Sequence, residues 1–153
     1  MPDADLLQRL ADHLQDRGWR LATAESVTAG LLADSAAQAP QASDWFLGGV
    51  VAYATEVKQR LLGVEPGPVV NAATAEQMAR GVASLLDAQV TLSTTGVGGP
   101  DPQEGQPAGR VWVGVHVDGA VTTHRLDLDG DPEDVCTGAA EKALQLLAAE
   151  LGC

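Results

Sequence analysis

Apolar residues from Asp5 to Asp16 fall at Leu6, Leu7, Leu10, Ala11 and Leu14, the three-to-four spacing of a helix with one apolar stripe, and Gly18 is placed to stop it. The run Trp19 to Ala24 reads as a buried strand. Ser26 to Ala37, free of Gly and Pro beyond Gly30 and rich in Ala and Leu, predicts a helix with Ser26 at its start. Gly49 to Tyr53 predicts a second strand, followed by a helix from Thr55 to Leu62 that Gly63 ends. Thr74, with Gln77 in the capping-box position, predicts a helix start running to about Asp87, and Val90 to Thr94 a third strand. Gly96 to Gly109 is a loop with no room for a helix. Arg110 to Val117 and Ala120 to Leu128 are β-rich and joined by Asp118-Gly119, a strong signal for a two-residue hairpin turn. Pro132 opens a last helix to about Leu151.

About five strands thus alternate with four or five helices. That pattern predicts one α/β domain over residues 1–153, a three-layer α/β/α sandwich whose mixed, mostly parallel sheet carries one antiparallel hairpin. A chain of 153 residues can bury a core of this kind without disulfides or metal. The two cysteines, Cys136 and Cys153, are too few for a disulfide framework, and no Cys or His pair has structural-zinc spacing, so no metal is expected. The net charge of −12 repels phosphate backbones and argues against nucleic acid as a partner. No apolar run is long enough to cross a bilayer, and the acidic start MPDADLLQRL lacks the basic opening of a secretion signal. A cytoplasmic protein without membrane contact is the expectation. The apolar hairpin around Trp112 and Val113 offers a surface for a homodimer.

In sheets of this kind ligands sit beyond the carboxyl ends of the strands. Three segments lie there: Thr23 to Gly30, Tyr53 to Lys58, and Thr94 to Pro100. A serine at a helix start has unpaired amides beside it, suited to a developing oxyanion, although serine is also a common helix cap. Glu25 either orients the site or is a solvated carboxylate. A serine needs a base, and His13, His116 and His124 all lie away from the strand ends, in a helix and in the hairpin. Lys58 is the better candidate, one of only two lysines, because a desolvated lysine can lose its proton where an arginine cannot. Tyr53, the sole tyrosine, can relay or orient that proton. Gly96-Val97-Gly98-Gly99-Pro100 can expose successive amides to an anion, but it is neither a Walker loop nor a dinucleotide fingerprint.

These stretches, in order, resemble the CinA C-terminal domain family, whose stand-alone members include nicotinamide mononucleotide deamidases. The resemblance rests on Ala24-Glu25-Ser26-x-Thr28-x-Gly30, Phe46-x-Gly48-Gly49-Val50-Val51-x-Tyr53, Glu56-Val57-Lys58 with Leu61-Leu62-Gly63-Val64, and Thr95-Gly96-Val97-x-Gly99-Pro100 followed by Pro107-x-Gly109. It covers Leu6 to Leu151. It implies hydrolysis of the carboxamide of nicotinamide mononucleotide to nicotinic acid mononucleotide and ammonia without metal or cofactor, with Ser26, Tyr53 and Lys58 as the catalytic set. Glu25, Thr28, Gly30, Thr95, Gly96, Gly98, Gly99 and Arg110 are the candidate substrate-binding residues. The chain departs from the family at Val27 and Ala29, where Cys and Gly are usual, and at Gln106, where a basic residue is usual. It departs again at Gly130-Asp131-Pro132 and Cys136, where a Gly-Asp-Arg-x-x-x-Arg pattern is usual. Cations that could hold a phosphate are therefore missing, with Arg110 the one available substitute. The alternatives are a non-catalytic nucleotide-binding or regulatory module on the same fold and an amidase of another substrate.

Overall fold

A computed structural model describes residues 2–153. Asp3 caps α1 (Ala4–Arg17) through the Asp5 amide, Gly18 ends it at φ 65°, and its buried face is the stripe Leu6, Leu7, Leu10, Ala11 and Leu14. The chain continues through β1 (Leu21–Glu25), α2 (Leu31–Ala37), the single turn α3 (Ala42–Trp45), β2 (Phe46–Val51), α4 (Thr55–Leu62) and α5 (Ala72–Leu86). It then forms β3 (Val90–Gly96), β4 (Arg110–Val117), β5 (Ala120–Asp127) and α6 (Pro132–Leu151).

The five strands form one sheet in the order β2-β1-β3-β4-β5. β1 is parallel to both of its neighbours, and β4 is antiparallel to both β3 and β5, so four strands share a direction and β4 alone opposes them. This is the predicted mixed sheet. Asp118 and Gly119 turn the hairpin with positive φ at both positions, 47° and 95°, as a primed turn demands. Helices cover both faces. On one, α1, α2 and α6 close over Leu21, Val90, Leu92, Val111, Val113 and Val115; on the other, α4 and α5 close over Ala22 and Ala24 with Leu62, Met78 and Val82. Every residue of β1 is buried, which is what a central parallel strand covered on both faces requires.

Several local expectations are corrected. There are six helices among the described residues, because α3 interrupts the approach to β2. The cap of α5 is Asn71, whose Oδ1 accepts the Thr74 amide at 2.8 Å, and Gln77 instead accepts the Glu65 amide through its side chain. Val113 is fully buried in the core, so the hairpin cannot offer it to a second subunit. The largest correction concerns α2. It begins at Leu31 with Gly30 as its cap, and Ser26 belongs to the turn that precedes it.

Candidate active site

Because β1, β2 and β3 run parallel, their carboxyl ends open on one edge of the sheet, and the three predicted segments meet there. They line a cavity of about 570 Å³, bordered by Ser26, Val27 and Ala29 from the first segment, Tyr53 to Thr55 and Lys58 from the second, and Thr95, Gly96, Gly98 and Gly99 from the third. Cavities of roughly 300–1,000 Å³ hold ligands of nucleotide size.

The turn after β1 is shaped by Glu25. Its carboxylate, with no solvent exposure, accepts the Thr28 hydroxyl at 2.6 Å and the amides of Gly30, Leu32 and Ala33 at 3.2, 2.8 and 2.8 Å. It therefore folds back to cap α2 from the preceding strand, satisfying the amides that a helix start leaves open. Thr28 also bonds Thr94 across the sheet at 2.8 Å, and the Cys136 thiol of α6 donates to the Thr28 carbonyl at 3.3 Å. Ala29 and Gly30 reverse the chain at φ 49° and 103°. Ser26 is left at the cavity edge with its amide tied to the Thr94 carbonyl.

Lys58 is the second element. It lies on the inner face of α4, only 2% exposed, with Nζ donating to the Tyr53 carbonyl at 2.9 Å. Burial pushes its ammonium below the ordinary lysine value, and the negative charge of Glu104 partly opposes that shift. Tyr53 is 72% exposed, and its hydrogen bond to Lys58 is made by the main chain. Edge strand β2 approaches closely enough that Gly49 has no room for a Cβ beside Thr23, which draws the second segment against the first.

Not all the predicted residues reach the cavity. Glu25 and Thr28 are buried and engaged in the bonds just described, so neither offers its side chain to a substrate. Gly30 and Thr28 border a separate, more open depression between α2 and α6. Arg110 does not replace the missing cations: its guanidinium bonds Asp127 at 2.9 Å and Gln106 at 2.9 Å, outside the cavity wall. Thr95 lines the cavity while donating to the Val69 carbonyl at 2.7 Å. On the cavity wall the amides of Val27, Gly98 and Gly99, like those of Tyr53, Ala54, Thr55 and Glu104, have no hydrogen-bond partner among the described residues. The oxyanion reading thus moves from the α2 start, closed by Glu25, to Val27, next to Ser26 in the chain, and to Gly98 and Gly99 of the loop that packs against Val27. Residues that the sequence did not single out also form the wall, Val69, Val70, Gln103 and Glu104, and Pro132, where the family usually has arginine, borders it at the head of α6. Among the described residues no cluster of His, Cys, Asp and Glu is arranged to hold a metal, and no helix is long and apolar enough to cross a membrane.

Residues 3–151 match the family model for the CinA C-terminal domain. A protein of Geobacillus kaustophilus named as competence-damage inducible is 39% identical over 99% of this chain, and a CinA-like protein of Frankia casuarinae 44% identical over 88%. The chain spans about a third of the length of these curated relatives, 36% and 32% respectively. The crystal structure of competence damage-inducible protein A from Klebsiella pneumoniae superposes with a TM-score of 0.94 at 32% identity, over 99% of this chain and 98% of that one. A CinA superfamily protein from Enterobacter cloacae gives 0.95 at 32% identity, over 99% and 93%. With the model matched along nearly its whole length and relatives well above 30% identity, the chain belongs to the CinA C-terminal domain family.

Proposed function

We propose that this domain is an amide hydrolase that converts the carboxamide of nicotinamide mononucleotide to the carboxylate, releasing ammonia. The observation that carries the reading is the placement of the Ser26 turn and a nearly fully buried Lys58 on one cavity, with burial favouring the neutral amine. In this reading the Lys58 amine takes the proton of the Ser26 hydroxyl as its oxygen attacks the amide carbon. The negative charge on the amide oxygen is received by the open amides of Val27, Gly98 and Gly99. Collapse breaks the C–N bond, the proton passes from Lys58 to the leaving nitrogen, and ammonia departs from an acyl-Ser26 ester. Water then attacks that ester, Lys58 takes a proton from it and returns it to Ser26, and the carboxylic acid product leaves. The Tyr53 carbonyl holds the Lys58 nitrogen throughout, while the exposed phenol ring is free to cover the bound pyridine.

One observation favours a second reading, an amidase of an unphosphorylated pyridine or other amide. Among the described residues Lys58 is the only basic side chain on the cavity wall, and Glu104 adds a negative charge. A phosphate there would be held by main-chain amides, without the charge-assisted pairs that each contribute roughly 1.5–3 kcal/mol. Ammonia release from nicotinamide, its riboside and its mononucleotide, measured side by side with the purified chain, decides between them. Preference for the mononucleotide supports the primary reading and preference for the riboside the second. Calorimetric binding without ammonia release would overturn both and leave a nucleotide-binding module.

A further inference from the structure

Glu104 is the charged wall residue to which the chemistry above gives no task. It lies in a tight turn whose flanking residues, Gln103 and Gln106, exchange main-chain bonds of 3.1 and 2.7 Å. Glu104 and Gly105 both take left-handed backbone, at φ 51° and 71°. Glycine, asparagine and aspartate fill the first of these positions at least cost, so a glutamate there is strained and persists because something holds it. What holds it is visible. Its carboxylate accepts the Val69 amide at 3.0–3.1 Å and the Val70 amide at 3.0 Å. From the other side, Thr95 Oγ1 donates to the Val69 carbonyl at 2.7 Å. The Val69–Val70 wall is thus fixed at its amides by the loop after β3 and at its carbonyl by the end of β3 itself.

Glu104 and Lys58 line the same cavity, and the negative charge of the first favours the ammonium form of the second. No other ionised side chain lines that cavity among the described residues: Ser26, Thr55, Thr95 and Gln103 carry no charge, and Tyr53 meets Lys58 through its carbonyl. Beneath the first turn, Glu25 is taken up by its own donors. On α5, packed against α4, Arg80 pairs with Glu76 and bonds the Gly119 carbonyl. On α4 itself, Glu56 and Arg60 are on the exposed side.

We propose that Glu104 is a positioning residue of this site, latching the Gly96–Gly109 loop to the Val69–Val70 wall and presenting its negative charge to the Lys58 amine. As a statement about catalysis this rests on the amide-hydrolase reading, so the test includes readouts that need no turnover. The chain has only two lysines, and Lys142 on α6 serves as an internal reference for an NMR titration of the lysine side chains. In Glu104→Gln the Lys58 midpoint moves to lower pH while that of Lys142 stays. In Glu104→Ala, which removes the acceptor as well as the charge, hydrogen exchange at the Val69 and Val70 amides quickens by roughly tenfold or more, as the latch opens locally. Glu104→Asp, which keeps the charge and shortens the reach, quickens that exchange but holds the Lys58 midpoint closer to wild type. In an active enzyme the acidic limb of kcat/KM for Glu104→Gln shifts to lower pH in step with the titration. A folded Glu104→Gln whose Lys58 midpoint is unchanged, or a folded Glu104→Ala whose Val69 and Val70 exchange is unchanged, overturns the proposal. A wild type that releases no ammonia from any amide overturns the hydrolase reading alone, and the two NMR readouts still decide the latch.

Discussion

The turn after β1 and the loop after β3 solve one problem with the same chemistry and opposite exposure. Each leaves the carboxyl end of a parallel strand, reverses through left-handed backbone, and is held by a carboxylate that accepts main-chain amides. Glu25 does this from the interior, with no solvent exposure and five donors, the Thr23 hydroxyl among them; Glu104 does it from the surface, with two amides of a neighbouring segment. A buried carboxylate so satisfied can be removed only by stranding its donors, whereas water replaces an exposed one. The first turn is therefore built for stability and keeps Ser26 in one place. The second is held from its exposed side, and its Gly98 and Gly99 line the cavity.

Glu25→Ala breaks this comparison most severely. It leaves the Thr28 hydroxyl and three helix-start amides without their acceptor, so the free energy of unfolding falls by about 3–5 kcal/mol, measured by urea denaturation. That is a large share of a domain's usual total of about 5–15 kcal/mol. If Glu25→Ala unfolds at the wild-type urea midpoint, the carboxylate is not the support described. Glu104→Ala sharpens the contrast: its effect falls on Lys58 and the Val69–Val70 amides, with the unfolding midpoint close to wild type. The smallest effect belongs to Ala29. It holds φ 49° with a side chain, where the family usually has glycine, and left-handed backbone costs a non-glycine residue roughly 1–2 kcal/mol. Part of that strain is offset by the entropy glycine loses on folding, so Ala29→Gly raises stability by about 1 kcal/mol or less. A destabilised Ala29→Gly would show the turn to be unstrained.

Much of the scaffold was legible along the chain. The Leu6 to Leu14 stripe, the Asp118-Gly119 turn and the glycine stops at Gly18 and Gly63 are local signals, and each gave the element it predicts. The meeting of the segments around Ser26, Lys58 and Gly96 followed from strand direction, which places successive carboxyl ends on one edge. What could not be read depended on side chains turning back or reaching far. Glu25 reads equally as an orienting or a solvated carboxylate until α2 is seen to start at Leu31 and not at Ser26, and Asn71 outranks Thr74 as a cap only once Gln77 is known to bond Glu65. Glu104 meets Val69 across 35 positions, a pairing with no periodic signature. Arg110 follows Gly109 as a phosphate ligand should, yet the β4–β5 register puts Asp127 opposite it and claims the guanidinium.

The central claim is that Ser26 attacks an amide with Lys58 as its base. Its most direct test is ammonia release from nicotinamide mononucleotide by the wild type, Ser26→Ala and Lys58→Met, with folding checked by denaturation. The account predicts that each variant loses roughly a thousandfold or more in kcat/KM. It also predicts that Lys58→Met unfolds no earlier than wild type, since an apolar side chain of similar length replaces a buried amine. Ammonia release at the wild-type rate from Ser26→Ala would contradict it.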